Sequence, residues 1–335
     1  MSESVIKTKF SDREGDDFYR LFDDESWAGF DENERLELLQ ELECRIAVSE
    51  KRSPVKVVAE SMGSISSQGY YSRNSDVIHI NCLLLQNRKI PGVSEGQKMA
   101  NALDTVIHEG RHAFQYAVVR GKVDREGITD DLRQRWMINF LTYSSVNDSV
   151  ESFEEYYKEF SFYAFQPIER DAREFAGRKM AELFQKVKAA AGKDPVSFRE
   201  GMKKIAETKR TEYEIARSSL SREDIEEKID QNAALIAKCF DLDNMDAACI
   251  LQLVAAYGAD WKHQFIKKIA EDQVFDVKAI ADGTKSIDGF IDGLGRFLDN
   301  YEMIDDSEYE EEFDTASIKI AQRDGRRVRV DRFGF

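Results

Sequence analysis

The sequence predicts an α+β fold: a small mixed or antiparallel sheet packed on a long helix that carries two histidines, followed by a mainly α-helical C-terminal region. Three observations predict it. Residues 55–85 hold short stretches in which β-branched and polar residues alternate with the period of a strand. Residues 95–119 and 167–191 instead repeat apolar side chains every three or four positions over about seven turns. Beyond Pro195 the apolar spacing is helical again, in a charge-rich background.

Taken in order, Leu36, Leu38, Leu39, Leu42 and Ile46 give an amphipathic helix over about 31–46. Val55, Val57 and Val58 after Pro54 give a strand, and residues 69–85 give a second strand pair turning at Ser72-Arg73-Asn74-Ser75. Pro91-Gly92 breaks the chain before the helix that runs from about Glu95 to Val119. Its apolar stripe is Leu103, Val106, Ile107, Gly110, Phe114 and Ala117, which sets Gly110 against the sheet. Helices follow around Trp136 and Phe140, from Ser152 to Phe165, and from Pro167, a residue suited to a first turn, to about Ala191. Gly192-Lys193-Asp194-Pro195 is the clearest boundary, dividing a domain of residues 1–192 from a mainly helical one of 195–335 that ends in a charged tail. In that tail seven carboxylates between Asp305 and Asp314 precede Arg323, Arg326, Arg327, Arg329 and Arg332. They read as a solvated acidic turn with a basic terminal strand, or as a self-inhibitory or partner-docking tail.

The chain has 335 residues, 48 Lys+Arg against 64 Asp+Glu, and a net charge of −16. With 21 Phe, 12 Tyr and 3 Trp it has too much apolar bulk for wholesale disorder. A pI near 4.9 argues against general binding to nucleic acid or an anionic membrane, both of which depend on clustered Lys and Arg. No signal-peptide core and no membrane-spanning run is visible, so the expectation is a cytoplasmic protein, with a signal-independent export route left open. Cys44, Cys82, Cys239 and Cys249 form no CxxC pair and are expected as reduced, mostly buried thiols.

The chemistry concentrates in Thr105-Val106-Ile107-His108-Glu109-Gly110-Arg111-His112, an H-E-x-x-H on a helix. Histidines four residues apart lie one turn apart on one side, so both imidazoles can reach one metal ion. Glu109, about 100 degrees around the axis, reaches a water beside that ion rather than the ion itself, the disposition of a hydrolytic Zn2+ site with a carboxylate base. The plain alternative is a surface helix with two exposed histidines. A third ligand is needed, and His79 and His263 are both distant in sequence, so a carboxylate is expected. Glu169, near the start of the Pro167 helix, is preferred because Ala172 and Ala176 allow that helix a close approach; Asp171 and Glu174 are the fallbacks. For stabilising an oxyanion, Tyr163 and Tyr157 are candidates, although both sit in an aromatic cluster typical of a core. Asp104, one turn before His108, reads as an exposed helical aspartate or as a support for a ligand. His79 reads as a solvent-facing strand residue or as part of a cleft wall.

H-E-x-x-H followed by a helix reading E-x-x-A-x-x-F-A resembles the gluzincin-type metallopeptidases, particularly the ImmA/IrrE group of intracellular bacterial peptidases. The resemblance covers at most about residues 55–185 and is specific only in the two motifs. It implies that His108, His112 and Glu169 bind zinc and that Glu109 is the general base. The 56 residues between His112 and Glu169 exceed what that group usually carries, so substrate does not carry over. The expected activity is a zinc metallopeptidase cleaving a protein or peptide. Two other classes stand beside it: a delivered toxin or effector of the same chemistry, with an immunity-type or regulatory protein partner, and a non-enzymatic helical interaction protein with incidental histidines.

Overall fold

The protein is described from a computed structural model that covers residues 6–65, 67–123, 127–146 and 152–285. The acidic tail and the arginines after it therefore lie outside the described residues. Two short helices, α1 (Gly15–Tyr19) and α2 (Asp24–Gly29), lead to α3 (Glu32–Ser49). A capping box starts α3: Asp31 accepts from the Glu34 N–H while the Glu34 carboxylate accepts from the Asp31 N–H. Leu38, Leu39, Leu42 and Ile46 of α3 are buried, as their spacing predicts.

The strands β1 (Lys56–Glu60), β2 (Gly69–Ser72) and β3 (Val77–Asn81) form a mixed sheet of order β1-β3-β2. β3 runs parallel to β1 and antiparallel to β2, with Tyr71 opposite Ile78. In the tight β2–β3 connection Asp76 takes a φ of 56°, a left-handed conformation that short polar side chains tolerate.

The helix α4 (Glu95–Val119), capped by Ser94, crosses the sheet and is buried on nearly every side. Its sequence stripe marks only part of that burial: Leu103, Val106 and Ile107 join the core with the sheet and α3, whereas Phe114 packs with Trp136 and Ile168. α5 (Asp130–Leu141), α6 (Phe153–Ala164) and α7 (Pro167–Ala191) follow, and α7 lays Ala172 and Ala176, both fully buried, toward α4. α7 ends at Gly192, whose φ of 65° suits a helix C-cap.

The Gly192–Pro195 turn, expected to divide two domains, leads straight into α8 (Val196–Ser218), which packs along α4. A Cβ on Gly201 would stand 2.2 Å from the Gly96 carbonyl oxygen, and one on Gly96 would stand 1.9 Å from that of Ser197. Phe198, Met202 and Ile205 of α8 belong to the core shared by α3, α4, α7 and the sheet. Tyr213 and Ala216, farther along α8, belong to a second core with α6. That second core also takes α9 (Arg222–Cys239), α11 (Trp261–Gln273) and α12 (Phe275–Ala281). Between α9 and α11, α10 (Ala247–Tyr257) has no buried residue despite its apolar sequence. The described residues from 196 to 285 are thus mainly helical as expected, but the first core runs through the anticipated boundary. No cysteines are paired, as expected; Cys44 and Cys82 are half-buried, but Cys239 and Cys249 are exposed rather than buried.

Candidate metal centre

α4 presents His108 and His112 one turn apart with their rings at 88° and their Nε2 atoms 3.1 Å from each other. Both are buried, not exposed on a surface helix. Facing them is Glu169 in the first turn of α7, where a carboxylate suits the positive end of the helix dipole. Its Oε2 is 3.2 Å from His108 Nε2 and its Oε1 3.2 Å from His112 Nε2. Glu169 is only 1% exposed, and its Oε2 accepts no hydrogen bond.

The sequence folds this way because the start of α7 is tied to α5. Asn139 Oδ1 accepts from the Ile168 N–H, an otherwise orphaned first-turn donor, and Asn139 Nδ2 donates to Gln166 Oε1. Gln166 in turn clasps the backbone of Ser144 through both ends of its amide. Glu169 therefore arrives on a fixed helix end.

The donor set fits a zinc ion. Ligands about 2.0–2.2 Å from a tetrahedral centre stand about 3.3–3.5 Å from one another; here the two Nε2 atoms are 3.1 Å apart and each lies 3.2 Å from its own oxygen of the Glu169 carboxylate. The charges of these groups depend on one another. Burial would raise the Glu169 carboxyl, yet the facing imidazoles hold it well below the usual carboxylate range. Burial opposes a charge on His112, but Glu169 outweighs it and pushes that imidazole up.

Glu109 also brings a carboxylate oxygen within 4.8 Å of both histidines. Its place differs from that of Glu169: Oε1 is 4.0 Å from His108 Nε2, and Oε2 accepts the Tyr71 N–H of β2 at 2.8 Å. That bond anchors Glu109 at the cleft wall with one oxygen turned toward the histidines. The cleft, about 240 Å³, is lined by Tyr70, Tyr71, Arg73, Phe140, Tyr143, Tyr163 and Ile168 together with Glu109, His112 and Glu169. A larger cavity of about 640 Å³ between α9 and α11, beside His263, contains none of these groups, so chemistry rather than volume singles out the smaller one.

Of the other sequence candidates, Tyr163 lines this cleft, edge-on to Tyr143 with ring centres 6.3 Å apart. Tyr157 packs with Phe153, Tyr156 and Phe160. Asp171 is held by Arg111 at 2.8 and 3.1 Å and by Gln115 at 2.7 Å, and Glu174 pairs with Arg170 at 2.9 Å. Asp104 is not exposed: it is buried and pairs with Lys209 of α8 at 3.1 Å. His79 stacks on Tyr70 and meets Glu60 of β1 at 2.6 Å, one side chain removed from the cleft. Gly110 does not meet the sheet; a Cβ there would lie 2.8 Å from Glu43 Oε2 of α3.

Sequence reasoning missed Tyr143, whose hydroxyl donates to Glu169 Oε1 at 2.8 Å. Burial beside that carboxylate pushes the phenol up, so it stays a donor. Gln115 and Arg111 were missed as well, and only their place, Arg111 within the motif and Gln115 three residues beyond it, could have flagged them. A scan against protein-family models, a search of curated proteins and a search of solved structures all found no match.

Proposed function

We propose that this chain is a zinc-dependent hydrolase that cleaves a peptide or protein. The observation that carries this reading is the buried triangle of His108 Nε2, His112 Nε2 and Glu169, with the Glu109 carboxylate turned toward it from the cleft wall. His108, His112 and Glu169 would hold the metal. Zinc, when bound, supplies a Lewis acid that polarises a water and the scissile carbonyl.

The chain's own groups do the rest. Glu109 takes a proton from the attacking water and delivers it to the leaving amine, which balances protons over the cycle. The Tyr71 N–H holds Glu109 Oε2, so Oε1 is the oxygen free to carry that proton. Tyr143 spends its one hydroxyl hydrogen on Glu169 Oε1 at 2.8 Å and so orients that carboxylate, while Tyr163 beside it is the cleft hydroxyl placed to meet negative charge developing on the carbonyl oxygen. β2 supports a peptide substrate: it is the last strand on its side of the sheet, antiparallel to β3, and it borders the cleft. An extended chain can add to such an edge through backbone bonds.

The test is metal analysis beside activity. Purified without chelators, the protein is expected to hold one zinc per chain. Glu109→Gln should keep that zinc and lower kcat by about 10²- to 10⁴-fold. His112→Ala should lose both. Full activity and zinc content in His112→Ala would sink the reading.

A further inference from the structure

The two free positions of the H-E-x-x-H motif, Gly110 and Arg111, sit in an unbroken run of buried hydrogen bonds that ends on a proposed ligand. We propose that Gln115, Asp171 and Arg111 are positioning residues for the metal centre, holding His112 in one tautomer and fixing α7, with Glu169, against α4. This rests on the zinc reading of the site above.

The run begins at His112. Its Nδ1 is 2.9 Å from Gln115 Oε1. The Gln115 amide cannot be turned round, because its Nε2 faces two acceptors, the Ile168 carbonyl at 2.9 Å and Asp171 Oδ2 at 2.7 Å. Oε1 therefore faces the imidazole as an acceptor, Nδ1 carries a hydrogen, and Nε2, which faces Glu169 and His108, is the nitrogen left to ligate.

Asp171 is held just as firmly. Arg111 grips it with two parallel bonds, Nε to Oδ2 at 2.8 Å and Nη2 to Oδ1 at 3.1 Å. The Arg111 guanidinium lies 4.4 Å from the Phe114 ring centre and 4.7 Å from that of Phe175, so it is packed as well as paired. Its third nitrogen donates to Glu50 at 2.8 Å, and Glu50 accepts from Arg52 at 3.0 Å. Arg52 closes a two-bond pair on Glu43 at 2.6 and 2.8 Å. Gly110 leaves the space that Glu43 and Arg52 fill.

Asp171 lies two residues beyond Glu169, and Arg111 one before His112. The Arg111–Asp171 grip thus sets the separation of the two helices at the very place where each supplies a ligand. Five buried charges are a poor way to gain stability, since desolvation offsets most of their attraction, but they fix geometry well. A purely structural role would move stability and leave ligand geometry alone; a positioning role moves the metal.

The experiment uses the full chain and three readouts: zinc affinity by competition with a chromogenic chelator, the visible spectrum of the Co2+-loaded protein, and the thermal midpoint of the metal-free form. Gln115→Leu should weaken zinc binding about 10- to 100-fold and change the cobalt bands, while the metal-free protein, although less stable for the lost buried hydrogen bonds, still melts cooperatively. Arg111→Lys, which keeps the charge but loses the two-bond grip, should also lower affinity and alter the spectrum. Wild-type affinity and an unchanged cobalt spectrum in folded Gln115→Leu and Arg111→Lys overturn the assignment. Wild-type protein that takes up neither zinc nor cobalt instead overturns the reading of the site itself, and this assignment with it.

Discussion

At the residue scale the most exacting position is Gly110. Its missing side chain is occupied by the Glu43–Arg52 pair, with Glu43 Oε2 2.8 Å and an Arg52 nitrogen 3.1 Å from where a Cβ would stand. Neither neighbour can step aside, because Glu43 also accepts the Val55 N–H at 3.0 Å and Arg52 is bound to Glu50. Gly110→Ala gains about 1 kcal/mol of helix propensity and should still lower stability by about 1–3 kcal/mol through overpacking. A chemical-denaturation midpoint that rises in Gly110→Ala would refute this. The same residue shows what the sequence could and could not reveal. Periodicity placed Gly110 on an inward face correctly, but the partner it meets is 67 residues earlier on α3 and is an ion pair, which no apolar spacing announces. His108, Glu109 and His112 were legible because their geometry is local to one helix. Tyr143 was not, since its contact with Glu169 spans 26 residues and depends on how the chain after α5 is clasped.

At the element scale, α4, α7 and β1 were readable to within a residue or two, because long runs with one period outweigh any single exception, whereas the strand expected to reach Leu85 stops at Asn81 and gives way to a 3₁₀ turn at Cys82–Leu84. Burial was less readable than existence. α10 has a strongly apolar sequence and no buried residue, whereas Asp104 and Lys209 look solvated in sequence and are buried against each other. Periodicity reports which residues share a face, not what the face meets. The joint between α5 and α7 carries the element-scale prediction. Asn139 alone satisfies the Ile168 N–H and one lone pair of Gln166, so Asn139→Ala leaves a buried donor without its acceptor at the helix end that bears Glu169. The expected cost is about 1–3 kcal/mol in thermal or denaturant unfolding, accompanied by weaker zinc binding. A comparable loss of stability with zinc affinity unchanged would show that the α7 end does not depend on this clasp.

At the scale of the whole molecule, α8 decides how the chain is divided. Gly192-Lys193-Asp194-Pro195 has the composition of a linker, and a glycine C-cap followed by a proline does end one helix before another begins. Such a turn stops a helix without separating two cores. The helix it admits lies along α4, with Gly96 and Gly201 in backbone contact and Phe198, Met202 and Ile205 in the core that backs the histidine helix. Lys209, from the same helix, neutralises buried Asp104 one turn before His108. A fragment of residues 1–192 would expose that apolar face of α4 and strand Asp104 as a buried carboxylate without its cation. Burying a phenylalanine, a methionine and an isoleucine is worth about 1.5–3 kcal/mol each, which is comparable to the total stability of many domains. The 1–192 fragment is therefore expected to lack a cooperative thermal transition, to bind a hydrophobic dye and to retain no zinc, whereas residues 1–285 should melt cooperatively with metal bound. A 1–192 fragment that unfolds cooperatively and holds stoichiometric zinc would show instead that α8 leans on a core already complete without it.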